Sequence, residues 1–85
     1  MSIPKTIVRF GEKLHTLRIE RGLTLQQLAQ SLGYIAHGYI SELENGRKMP
    51  SVEFVLAVAR FFEVTTDVLL KDELELGTEN KRGDP

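Results

Sequence analysis

Thr24-Leu-Gln-Gln-Leu-Ala-Gln-Ser-Leu-Gly-Tyr-Ile-Ala-His-Gly-Tyr-Ile-Ser-Glu-Leu-Glu-Asn-Gly46 reads as two short amphipathic helices joined by a tight Gly-containing turn. Thr24 followed three residues later by Gln27 is the pattern of a capping box, in which each side chain satisfies a backbone N–H left unpaired at a helix start. Leu25, Leu28, Ala29 and Leu32 then fall at i, i+3, i+4 and i+7, which gives one apolar face to a helix from about Leu25 to Leu32. Gly33 follows, where a helix C-terminus favours a residue that adopts positive φ. A second helix is expected over about 37–45. At about 100° per residue, Ala36, Ile40 and Leu43 cluster in one direction, Gly38, Ser41, Glu42 and Asn45 lie opposite, and His37 and Tyr39 stand on the flanks. Glu44 falls near the edge of the buried side, where a carboxylate needs a partner from elsewhere in the chain.

Two short helices joined by a tight turn, the second with a polar outer face, make a helix-turn-helix, whose second helix enters the DNA major groove. The series Leu23-Thr24-x-x-Gln27-Leu28-Ala29, Leu32-Gly33, Ile40-Ser41-x-Leu43-Glu44-Asn45-Gly46, and the basic pair Arg47-Lys48 ahead of Pro50-Ser51, resembles the phage repressor and Cro family. These xenobiotic-response-element-type domains are similar to this chain over roughly Phe10 to Leu70. The resemblance implies an all-α, compact five-helix bundle of the lambda-repressor-like kind, with double-stranded DNA as partner. It also implies that Arg18 forms a buried or half-buried ion pair with Glu44, mainly structural in role, and that His37, Gly38 and Glu42 match positions carrying base contacts. The chain departs from the family in two places. Gly33 to Ile40 is one residue longer than phage repressors commonly have, and Leu25 stands where many relatives place a phosphate-contacting Gln.

Groove chemistry refines these expectations. Glu42 is suited to accept from cytosine N4, His37 to donate to guanine N7 or O6, Gly38 only to permit close approach, and Ser41 completes the face. Phosphate contacts are expected from backbone amides at the helix starts and from Gln26, Gln27, Tyr39, Asn45, Arg47 and Lys48. The capping box alone also explains Gln27, and Tyr39 is open between a DNA contact and packing.

Residues 1–5 are expected to form a flexible arm, and 6–76 the helix-turn-helix DNA-binding domain. A helix from about Thr6 to Arg21 carries Ile7, Phe10, Leu14 and Leu17 on one face, with Val8, His15 and Ile19 as a weaker second stripe and Gly22 as its stop. Ser51 is a good N-cap for a helix from about Val52 to Glu63, apolar nearly all round. Either neighbouring helices surround it, or part of it forms a subunit interface, for which Leu56, Phe61, Leu70, Leu74 and Leu76 are candidates. The last helix starts near Thr65 or Thr66 and is extended by pattern through Leu74 and Leu76. A polar tail at 77–85 is expected to be disordered.

At 85 residues with 41% hydrophobic residues, the chain suits one small core. It has no cysteine, which excludes disulfides and thiolate metal sites. The absence of an apolar run of roughly 20 residues argues against a membrane span and for a cytoplasmic protein, of bacterial or phage type. Net charge is −1, but residues up to Pro50 carry +3 and the remainder −4, so the molecule is polarised and offers phosphate a modest positive face. No Gly-rich phosphate loop or Ser, His and Asp set supports an enzyme, and no cofactor or metal is expected. The expected function is therefore a small transcriptional regulator, a homodimer on a roughly palindromic operator. The alternative is a protein-interaction module, accessory or antitoxin-like, that keeps the fold without reading DNA and binds an unknown protein partner.

Overall fold

The computed structural model describes residues 8–33 and 37–77, with the backbone alone of His37. Five helices, and no strand, make up these described residues. The decisive stretch folds as its local chemistry dictates. Helix α2 spans Leu25–Leu32; the Thr24 hydroxyl accepts from the Gln27 amide at 3.0 Å, and the Gln27 side chain accepts from the Thr24 amide at 2.9 Å. Gly33 closes α2 at φ 84°. Helix α3 spans His37–Glu44. It ends in a Schellman closure, with Gly46 at φ 77° and the amides of Gly46 and Arg47 donating to the carbonyls of Leu43 and Glu42.

Three further helices wrap this pair: α1 (Phe10–Glu20), α4 (Val52–Phe62) and α5 (Thr66–Leu70). The hydroxyls of Ser51 and Thr65 cap α4 and α5 by accepting from the amides of Phe54 and Val68. The core draws Phe10 and Leu14 from α1, Leu28 from α2, Ile40 and Leu43 from α3, Phe54 and Val58 from α4, and Val68 and Leu69 from α5. Phe54 lies at its centre, edge-on to Phe10 and to Tyr39 at centroid distances of 6.3 and 5.2 Å. Helices α1 and α3 approach so closely at Gly11 that a Cβ there would collide with the Leu43 carbonyl oxygen. None of the described helices is long and apolar enough to cross a membrane.

Two expectations are corrected. Helix α1 starts at Phe10 rather than near Thr6, and Arg9 caps it with no side chain of its own. Asp72, 63 residues away in sequence from Arg9, supplies the cap instead: its carboxylate accepts from the amides of Val8 and Arg9 at 2.8 and 2.9 Å. Helix α5 ends at Leu70 instead of continuing through Leu74 and Leu76. The Lys13 ammonium, 1% exposed, takes up the carbonyls of Val68 and Lys71 at 2.7 and 2.8 Å, so the chain turns back there. Arg9 then donates to the Asp72 carbonyl and to both Glu75 carboxylate oxygens, which binds Lys71 to Gly77 against the start of α1. The second α1 stripe is also outward-facing, with Val8, His15 and Ile19 exposed. The arm at 1–5, Thr6, Ile7, Ala36 and, apart from Gly77, the tail at 77–85 lie outside the described residues.

Candidate nucleic-acid interface

Helix α3 is held from behind and open in front. Behind, Ile40 and Leu43 are fully buried, and the Glu44 carboxylate meets the Arg18 guanidinium in a bidentate pair, Nε to Oε2 at 2.7 Å and Nη2 to Oε1 at 3.0 Å. The two side chains are 11% and 8% exposed. Arg18 Nη1 also donates to the Leu23 carbonyl at 2.8 Å, and His15 Nδ1 lies 2.9 Å from Glu44 Oε1. One guanidinium therefore ties the end of α3 to α1 and to the entry of α2.

In front, Gly38 is exposed with open space where a Cβ would stand, Ser41 and Glu42 are half-buried, and Asn45, Arg47 and Lys48 are exposed. The His37 side chain lies outside the described residues. Lys48 Nζ is 3.4 Å from Glu42 Oε1, which brings a candidate phosphate ligand and a candidate base reader together. Tyr39 is half-buried: its ring packs on Phe54, and its hydroxyl accepts from the Ser51 amide at 3.4 Å. Gln26 and Gln27 are exposed at the start of α2, the second engaged in the capping box.

Of the residues expected at a subunit contact, Leu56 is exposed at 41%. Phe61, Leu70, Leu74 and Leu76 are half-buried against this chain's own core, with the Arg21 guanidinium 5.4 Å from the Phe61 ring centroid. Among the described residues no group of three or more His, Cys, Asp or Glu side chains is placed to hold a metal ion.

Sequence reasoning missed Gly11, which lets α1 pack closely on α3, and Lys13 and Asp72, which tie α1 to α5 and the segment after it. Two of them left a signal. Lys13 interrupts the apolar stripe Phe10, Leu14, Leu17 at a core-facing position, and Gly11 is a glycine inside a helical pattern. Asp72 left none, because its partners are two backbone amides. Burial pushes the Lys13 ammonium below its ordinary value, and the Arg9 charge adds to the effect.

The same construction is found in known proteins. A family model described as Helix-turn-helix matches residues 14–69. The transcriptional activator BcrR of Enterococcus faecalis is 41% identical over 66 residues, covering 78% of this chain and 32% of that protein. The chain spans about a third to a half of the length of curated relatives that it matches. The N-terminal DNA-binding domain of SinR from Bacillus subtilis superposes with a TM-score of 0.69 at 29% identity, covering 79% of this chain and 97% of that one. A SinR structure in complex with DNA gives a TM-score of 0.66 at 30% identity, covering 73% and 98%. From its capping box through its anchored α3 to α5, the chain belongs to the Cro/C1-type helix-turn-helix family.

Proposed function

We propose that this chain binds double-stranded DNA sequence-specifically, with α3 in the major groove, and regulates transcription as a homodimer on a palindromic operator. The observation that carries the reading is the two-sidedness of α3: an anchored inner face, and an open outer face of Gly38, Ser41, Glu42 and Asn45 that runs directly into Arg47 and Lys48. In this reading His37, Ser41 and Glu42 meet base edges while Gly38 lets the backbone approach. Arg47, Lys48, Asn45, Gln26, Gln27 and Tyr39, together with helix-start amides, take phosphates and set the register. Arg18 and Glu44 serve structure by fixing α3. Two-fold symmetry would set the reading helices about 34 Å apart, one turn of duplex. The proposed place of action is the cytoplasm, at the nucleoid.

Selection of bound duplexes from a random pool at about 0.1 M salt tests this. Enrichment of an inverted repeat supports both recognition and two-fold assembly. No enrichment by folded protein refutes the reading. The exposed Val52 and Leu56 on α4 favour a second reading, a protein-interaction module, whose association would stay nearly constant with salt while phosphate binding falls steeply.

A further inference from the structure

We propose that Asn45-Gly46, where α3 runs into its basic loop, is a site of spontaneous covalent modification, held shut by the fold, whose products disable the loop. The chemistry stands on its own; its consequence rests on the DNA binding of the proposed function.

An asparagine followed by glycine is open to attack of the next backbone nitrogen on its side-chain amide, because glycine has no Cβ to crowd the approach. Of the two asparagines in the chain, Asn45 precedes Gly46 and Asn80 precedes Lys81. Asn45 and Gly46 are both exposed, and open space surrounds the place of a Cβ at Gly46. The Asn45 side chain has no hydrogen-bond partner among the described residues.

In the reaction the Gly46 nitrogen gives up its proton and bonds to Asn45 Cγ as the Cγ–Nδ2 bond breaks. Ammonia leaves with that proton, and a succinimide ring remains. Water then opens the ring at either carbonyl. Cleavage of the new N–Cγ bond leaves aspartate; cleavage of the old peptide bond leaves isoaspartate, with the main chain routed through Cγ. Water enters and ammonia departs, so the step needs no oxidant and no enzyme.

The fold denies the first step. The Gly46 amide donates to the Leu43 carbonyl at 3.1 Å and the Arg47 amide to the Glu42 carbonyl at 2.8 Å, with Gly46 at φ 77°. The nucleophile is thus a hydrogen-bonded donor in a fixed turn, and it reacts only when that turn opens. The anchor of the turn is the residue just before Asn45: the nearly buried Glu44 carboxylate, gripped by Arg18. A guanidinium on α1 therefore sets the lifetime of an amide in the DNA-facing loop. Both products damage that loop. Aspartate adds negative charge beside Arg47 and Lys48, where a phosphate-facing amide stood. Isoaspartate lengthens the backbone inside the turn whose two hydrogen bonds aim those cations.

Ageing of the full chain in mildly alkaline buffer, folded and in urea, tests the proposal by peptide mass spectrometry and enzymatic methylation of isoaspartate. In urea, Asn45 should convert to both products well ahead of Asn80. Folding should slow conversion by at least about tenfold, the factor for each opening free energy of about 1.4 kcal/mol. Arg18→Met, shown by circular dichroism to be folded, should raise the folded-state rate by about tenfold or more. Ser51→Ala, which loosens α4 instead, should leave it within about threefold. Asn45→Asp should stay folded and weaken binding to the selected duplex by about tenfold. Equal rates at Asn45 and Asn80 in urea, equal rates folded and unfolded, or equal rates in Arg18→Met and Ser51→Ala would each overturn the proposal. If the natural chain selects no duplex while the rates differ as stated, the modification site stands and the DNA reading fails. If it selects one that Asn45→Asp binds as tightly, the disabling effect is refuted.

Discussion

Replacing Arg18 by Met is the most informative single perturbation of this domain. In the native structure the guanidinium makes two charge-assisted bonds to Glu44, at 2.7 and 3.0 Å, and a third to the Leu23 carbonyl at 2.8 Å. Methionine keeps the aliphatic packing but leaves the Glu44 carboxylate, 8% exposed, with His15 Nδ1 as its remaining partner. Removing one member of a buried pair costs about 3–5 kcal/mol, because the other charge stays desolvated. At roughly 0.05–0.15 kcal/mol per residue, a domain of 85 residues has about 4–13 kcal/mol in total, so the loss is a large fraction. Each kcal/mol moves the melting temperature of such a domain by about 4–8 °C, which predicts a fall of at least about 12 °C. The double variant Arg18→Met with Glu44→Leu removes both charges and should recover to within about 2 kcal/mol of the native chain. Thermal and urea unfolding of the four proteins in this cycle measure both effects. A cost below about 1 kcal/mol for Arg18→Met, as for an exposed pair, or a double variant no more stable than the worse single one, would refute the argument that burial makes this pair indispensable.

Gly11→Ala should destabilise by about 1–3 kcal/mol despite alanine's better helix propensity, because its Cβ collides with the Leu43 carbonyl; urea unfolding reads the loss. Burial pushes the Asp72 carboxyl up, but the amides of Arg9 and Val8 outweigh it and hold the group below its ordinary value. The stability it brings is therefore full above the unfolded pKa and lost as pH falls through the folded one. Asp72→Asn should lower the melting temperature at pH 7 and flatten the acid limb below about pH 4, where Glu75, held low by its hydrogen bonds from Arg9, leaves a residual slope. Arg47→Ala with Lys48→Ala should weaken all duplexes alike and reduce the salt slope by about 2, whereas His37→Ala or Glu42→Ala should change the selected sequence. Uniform loss in both sets would remove the assignment of base readers.

The elements legible in the sequence are those specified by neighbours along the chain. The capping box of Thr24 and Gln27, the αL residue Gly33 and the spacing of Leu28 with Ala29 are local, and α2 has the expected bounds. Ser51 likewise announces α4. The all-α fold and the family followed from the order of such signals. The start of α1 was not legible, because its cap comes from Asp72 across the fold. Nor was the end of α5: the apolar spacing of Leu74 and Leu76 suits a helix, but Lys13 and Arg9 bind the segment in another shape. At the candidate site, the faces of α3 were readable by angle, whereas the Glu42 to Lys48 contact depends on how the chain turns after Gly46.

The clasp formed by Arg9, Lys13, Asp72 and Glu75 sets where this domain can be cut or joined. All four residues fall outside the 14–69 stretch matched by the family. A fragment excised at those bounds would keep the helix-turn-helix but lose Phe10, the cap on α1 and the lysine that ends α5. A fusion placed directly after Leu70 would keep Phe10 and Lys13 but lose Asp72 and Glu75, leaving the first helix without its cap. Cargo joined beyond Gly77 leaves all four residues of the clasp in place, so α1 keeps its cap and Lys13 keeps both of its carbonyls. A junction there therefore leaves the packing of α1 against α3 at Gly11 undisturbed.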